Sequence, residues 1–173
     1  MRRHVALGAG AALALAVLTA GPAAGQKAEE FMRPCRRSDL LGVWRVLRFG
    51  FATSATVDRT HPDYQPHQRY VFHSNATMAY LASPMPWPIE EERALATAPA
   101  PVTWALEAGG RLVRRVDGGT RVEASECRVV TQTVKDPRGS QPTAQPGDLL
   151  LTDQGNDNRP TTRRLLRRLS SAE

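Results

Sequence analysis

Residues 102–134 read VTWALEAGGRLVRRVDGGTRVEASECRVVTQTV, and how this stretch divides decides the fold. Four runs, Val102–Glu107, Arg111–Val116, Thr120–Ser125 and Cys127–Val134, are β-prone, and Ala108-Gly109-Gly110 and Asp117-Gly118-Gly119 separate the first three. Glycine has no Cβ to clash when the backbone takes positive φ, so a Gly pair between two such runs reads as a hairpin turn. Short strands at this spacing predict an antiparallel meander.

The same punctuation continues upstream. Arg69–His73 and Thr77–Leu81 flank Ser74-Asn75-Ala76, where Asn75 suits a left-handed turn, and predict a further hairpin. Val43–Phe51 predicts the first long strand, with Val43, Leu47, Phe49 and Phe51 on one side and Trp44 and Val46 on the other. It is entered from a turn that Ser38 or Asp39 caps. Ala52–Gln68, with Pro62 and Pro66, predicts a loop. Pro84, Pro86 and Pro88 forbid a central strand. Ile89–Ala98 predicts a short helix, with Glu90, Glu91 and Glu92 near its positive end and Pro99 as its stop.

Downstream, Asp136–Gly147 predicts a second loop, Asp148–Thr152 a strand and Asp153–Asn158 a polar turn. Thr161–Leu169 suits either a strand or a basic amphipathic helix. Eight or nine strands in sequential order leave exposed edges unless the sheet closes. The expectation is therefore an all-β, antiparallel up-and-down barrel of about eight strands, with a short helix in an insertion; a β-sandwich is the alternative.

The N-terminus carries an address. Arg2 and Arg3 precede an apolar run from Val5 to Ala20 and the small residues Ala20 to Gly25, the order of a secretory signal peptide over residues 1–25. The run is rich in Ala and Gly and shorter than the roughly 20 residues a spanning helix needs, so no transmembrane segment is expected after cleavage. Cleavage leaves one domain's worth of chain, and removing Arg2 and Arg3 lowers the formal charge from +6 to +4. Mild basicity and export argue against a nucleic-acid partner. Cys35 and Cys127 are the two cysteines, and in an oxidising compartment the pair reads as one disulfide, the alternative being two buried thiols. By loop-closure entropy such a bond contributes about 4 kcal/mol.

The run Asp39-Leu40-Leu41-Gly42-Val43-Trp44 resembles the start of lipocalin and lipocalin-like proteins, where Gly-x-Trp heads the first strand. Tyr70-Val71-Phe72 through Asn75-Ala76-Thr77-Met78 is similar to the second hairpin of small bacterial members. Asp148–Thr152 and Leu166–Leu169 are similar to their closing strands. The resemblance implies a lipocalin-like, calycin-type barrel domain over 38–169, after an N-terminal segment 26–37 and before a tail 170–173. It also implies that Trp44, following Gly42, closes one end of the barrel under the guanidinium of Arg167 or Arg168. A flat cation on an indole face contributes about 0.5 to 2 kcal/mol. Ala76 stands where glycine is usual in the turn, and Pro84–Pro101 is an insertion.

Reactive chemistry is sparse. His61, His67 and His73, with Met78 and Met85, offer copper-type ligands, but spacing by six matches no helix face, and exposed loop positions account for His61 and His67. No Gly-x-Ser-x-Gly elbow occurs, and neither cysteine has a neighbouring base, so no catalytic residue, cofactor or metal is assigned. Asp153–Asn158 is oxygen-rich like a calcium loop but has Arg164 where a closing Glu belongs. The arginines from Arg159 to Arg168 read as solvated surface or a docking patch for an acidic partner. Trp87, in the insertion, suits a barrel mouth or a protein contact.

The leading expectation is a periplasmic or secreted non-enzymatic barrel that binds a small, mostly apolar ligand against Phe49, Phe72, Tyr80 and Trp104. The second is a filled barrel acting as an accessory or assembly protein through contacts with another extracytoplasmic protein.

Overall fold

The computed structural model describes residues 30–51, 64–135, 143–155 and 160–169. The expected signal segment 1–25, the start of the N-terminal segment (26–29), residues 52–63 with His61, residues 136–142 of the second loop, residues 156–159 of the polar turn and of the arginine run, and the tail 170–173 lie outside these residues.

Nine strands form the sheet: β1 Met32–Pro34, β2 Gly42–Phe51, β3 His67–Phe72, β4 Thr77–Ser83, β5 Val102–Glu107, β6 Arg111–Val116, β7 Arg121–Val130, β8 Leu149–Gln154 and β9 Pro160–Arg168. Helix α1 spans Arg37–Leu40 and α2 spans Ile89–Ala94. From β2 to β9 each strand pairs antiparallel with the next in sequence. Pairing of β2 with β9 closes the ring, giving an eight-strand up-and-down barrel, and β1 extends it beside β7. Closure excludes the sandwich, because one continuous ladder leaves no second sheet.

One open choice is settled as a strand, and three local expectations need correction. Thr161–Leu169 is a strand, since β9 is paired on both sides, by β2 and by β8. Thr120–Ser125 and Cys127–Val134 form the single strand β7, because Glu126 pairs with both Arg111 and Thr152 and no turn residue interrupts the ladder. Beyond β7, Val134 makes only an isolated bridge to Ala144. In the β3–β4 turn the left-handed residue is Ala76, at φ 65°, while Asn75 uses its Oδ1 to accept from the Thr77 amide at 3.1 Å. Asp153 belongs to β8, not to a turn.

A β-bulge in β2 decides which residues face inward. Val46 lies opposite Leu166 and Arg48 opposite Leu165, so Leu47 is the extra residue. An extra residue reverses the alternation. Trp44 and Val46 belong to the interior core before the bulge, and Phe49 meets the buried Arg164 beyond it. Val43, expected on Phe49's side, instead packs outside the barrel.

That outside cluster explains the insertion. Val71 and Ala79 on the outer faces of β3 and β4 are covered by Leu95, with Val43, Leu81, Trp87 and Ala100 around them. The residues after β4 therefore fold flat against the wall. Arg69 donates through Nε to Glu92 at 2.9 Å, and Trp87 donates through Nε1 to the His67 carbonyl at 3.3 Å. Glu92, in the first turn of α2, is thus the ion-pair partner of Arg69.

The Cys35–Cys127 disulfide is formed, with Cα atoms 5.5 Å apart, and ties the segment before α1 to β7. Gly110 permits it. Its φ is +83°, and a Cβ there would lie 2.5 Å from the Cys127 carbonyl oxygen and 3.2 Å from the Cys35 nitrogen.

Candidate functional site

The barrel interior has a floor and a charged upper half. At the floor Trp44 is buried, its Nε1 donating to the Leu40 carbonyl at 2.6 Å, and the Arg168 guanidinium lies 4.8 Å from the indole centroid. Arg168 also donates to the Asp39 carbonyl at 2.8 Å, so α1 and the end of β9 together seal this end. Gly42 adopts φ +112° to start β2 beside that arginine. Arg167 points elsewhere, gripping both oxygens of Asp148 at 2.9 and 2.7 Å. In the same core Phe72 and Trp104 meet edge to face at 5.6 Å, and each is 2% exposed. Met78, Leu112, Leu149, Leu151 and Leu166 complete a contiguous apolar packing.

Period-two alternation carries the inward faces of β6, β7, β8 and β9 upward from this floor to Arg114, Ser125, Asp153 and Arg164. The Asp153 carboxylate is their hub. Arg114 Nη2 donates to its Oδ1 at 2.9 Å, and Ser125 Oγ donates to the same oxygen at 2.5 Å. Arg164 Nη1 and Thr162 Oγ1 donate to Oδ2. Arg164 Nε crosses to Gln68 Oε1 on β3 at 3.1 Å, with its guanidinium 4.4 Å from the Phe49 ring centroid. Glu123, half-exposed, lies 3.6 Å from Arg114 Nη2.

The electrostatics follow from this crowding. Burial pushes the Asp153 carboxyl up, but the charges of Arg114 and Arg164, with hydrogen bonds from Ser125 and Thr162, outweigh it and hold the group below the usual carboxylate range. Burial likewise acts to lower the Arg114 pKa, and the negative field of Asp153, with Tyr70 and Glu123, reverses the sign and raises it. Arg114 keeps its charge while its Nε, buried, has no hydrogen-bond partner among the described residues.

The four expected ligand-binding residues fall into two groups. Phe72 and Trp104 are part of the packed floor. Phe49 and Tyr80 lie half-buried, Tyr80 4.9 Å from the Tyr70 ring and Phe49 in an aromatic cluster with Phe51 at 4.5 Å and Tyr64 at 5.7 Å. Sequence reasoning missed Arg114, Ser125, Asp153 and Arg164, and it placed Arg164 in a solvated patch although it is 4% exposed. The signal was present in the alternation. Leu112 and Arg114, or Leu149, Leu151 and Asp153, share parity, so each charge occupies an inward position.

A concavity of about 650 Å³ lies outside the floor between Arg33, Asp39, Asp148 and Arg167. Its charges are spent on one another, Arg33 holding both oxygens of Asp39 at 2.6 and 2.9 Å. Among the described residues no cluster of three His, Cys, Asp or Glu side chains is placed to hold a metal ion, and His67 and His73 sit at opposite ends of β3. No protein family, curated protein or solved structure matches this chain.

Proposed function

We propose that the protein is exported and acts outside the cytoplasm as a non-catalytic, lipocalin-like barrel that holds a small, mostly apolar ligand in the upper half of its interior. Export is supported by the signal-like segment 1–25 and by a disulfide, a bond that persists in oxidising compartments. Among the described residues no helix is long and apolar enough to cross a membrane.

The observation that carries the binding reading is the division of the interior. A small barrel can be filled by side chains alone, and the floor does this with apolar groups. Burying three charges instead costs desolvation that apolar residues of similar volume avoid. Such clusters gather where a protein recognises something polar. Phe49, against Arg164, and Tyr80, against Tyr70, are half-buried and supply the apolar wall. Native mass spectrometry of the mature protein, purified gently from its own host, tests the reading: a retained small molecule of a few hundred daltons is expected.

The second reading, an accessory protein acting through its surface, is favoured by the close packing of Phe72 and Trp104. Co-purification of another protein with no small molecule would replace the first reading by this one.

A further inference from the structure

We propose that the concavity outside the barrel floor is a binding site for a phosphate ester, whose phosphate group Arg168 holds; the site stands apart from the barrel interior and does not rest on the reading above. Three arginines, Arg33, Arg167 and Arg168, line it against two aspartates, Asp39 and Asp148, so it carries one positive charge in excess. Its carboxylates are spent. Asp39 accepts from both Nη atoms of Arg33 and from the Arg36 amide at 2.6 Å. Asp148 accepts from Nε and Nη2 of Arg167 and from the Gln145 amide at 2.8 Å. Its donors are not spent. Arg168 has no carboxylate partner among the described residues: Nη2 donates to the Asp39 carbonyl, the guanidinium lies over Trp44, and Nε and Nη1 meet no acceptor there. Because Arg168 is exposed and unpaired, an anion can take these donors without breaking an ion pair.

The arrangement of the cations selects the anion. Arg33 and Arg168 meet on one residue, Arg33 at the carboxylate of Asp39 and Arg168 at its carbonyl, while Arg167 stands with Asp148. A planar carboxylate is satisfied by one guanidinium fork, as Asp39 and Asp148 already are. A tetrahedral phosphate offers three oxygens in different directions, which suits guanidiniums held on β1 and on β9. Arg167 keeps its Nη1 for such a contact, since only its Nε and Nη2 are engaged among the described residues. The concavity, about 650 Å³, also has the volume of a small-molecule pocket, and Val129, Val130 and Pro146 give it an apolar side. The phosphate therefore belongs to an ester with a small apolar body.

The test is a calorimetric titration of the mature protein with phenyl phosphate, inorganic phosphate and benzoate, near neutral pH and at one ionic strength. Phenyl phosphate should bind at least about tenfold more tightly than either of the others. Equal affinities for all three, or binding of none, would overturn the proposal. Arg168→Gln should weaken phenyl phosphate at least about tenfold. That variant also uncovers Trp44, so Gln145, an exposed residue of the lining whose side chain supports no core contact, supplies an independent pair. Gln145→Glu keeps the shape and adds a negative charge, and should weaken phenyl phosphate about fivefold; Gln145→Lys should tighten it by a similar factor. An affinity that neither variant moves would count against the site. Flotation with phosphatidylcholine vesicles, with and without phosphatidic acid, separates the two sources of such an ester. Retention only on phosphatidic acid, released by phenyl phosphate, assigns the site to a lipid headgroup; phenyl phosphate binding without retention assigns it to a soluble ester.

Discussion

Below, Trp44, Phe72, Trp104, Leu149 and Leu166 fill the barrel with rings and branched chains; above, Arg114, Asp153 and Arg164 fill it with charge. Both halves are enclosed by the same strands and follow the same alternation, so the backbone does not account for the difference. The lower half gains from removing apolar surface from water, at roughly 25 cal/mol per Å². The upper half must first remove ions from water and recovers that cost only through geometry, with both oxygens of Asp153 occupied by four donors from three strands. The comparison teaches that one barrel is held by two kinds of interaction, apolar burial in the floor and paired charges above it.

The largest effect should come from the floor. Trp104→Ala removes an indole that packs edge to face on Phe72 and donates to the Thr77 carbonyl at 3.0 Å. It should cost about 4 kcal/mol in denaturant unfolding, typical of a large aromatic cut to alanine in a core. A loss below about 1 kcal/mol would mean that the floor collapses readily around the gap and does not dominate stability.

How far these halves were legible in the sequence differs for physical reasons. The meander was legible because Gly109-Gly110 and Gly118-Gly119 take positive φ at the turns, a local requirement visible in composition. The disulfide was legible because only two cysteines exist. The closing strand was ambiguous because Thr161–Leu169 alternates poorly. Its inward residues include a charge, Arg164, whose partner lies eleven residues back on β8. The bulge at Leu47 was invisible because one extra residue changes facing without changing composition, and it put Val43 and Phe49, expected on one side, on opposite sides. The charged cluster went unseen for a related reason. Arg and Asp are ordinarily exposed, and only pairing across strands shows that Arg114, Asp153 and Arg164 converge.

The next effect is smaller and depends on pH. Asp153→Asn keeps the shape but leaves Arg114 and Arg164 without their shared anion, and should cost about 3 kcal/mol near neutrality. The folded Asp153 carboxyl titrates below its ordinary value, so its contribution is fully present above the unfolded value of about 4 and is lost as the pH falls through the lower folded one. The unfolding midpoint of the natural protein should therefore decline in acid, and that of Asp153→Asn should decline less. Identical acid slopes in the two proteins would move the titration to the closed end. There Asp39 is also held below its usual range, by hydrogen bonds from Arg33.

The smallest change in stability should come from the most drastic replacement. Substituting Arg114→Met, Asp153→Leu and Arg164→Met together removes the ions and their hydrogen bonds at once and leaves apolar side chains of similar volume on the same inward positions. Breaking one partner strands a buried charge, whereas removing all three strands none, so the triple variant should unfold within about 1 kcal/mol of the natural protein or be more stable. Ser125 Oγ and Gln68 Oε1 would each lose a partner, which limits the gain. Stability kept would separate the two halves by role: an apolar floor that holds the barrel together, and a charged upper half that the fold itself does not require. A loss as large as that of Asp153→Asn would instead make the arginine–aspartate cluster a structural plug, equal in kind to the floor below it.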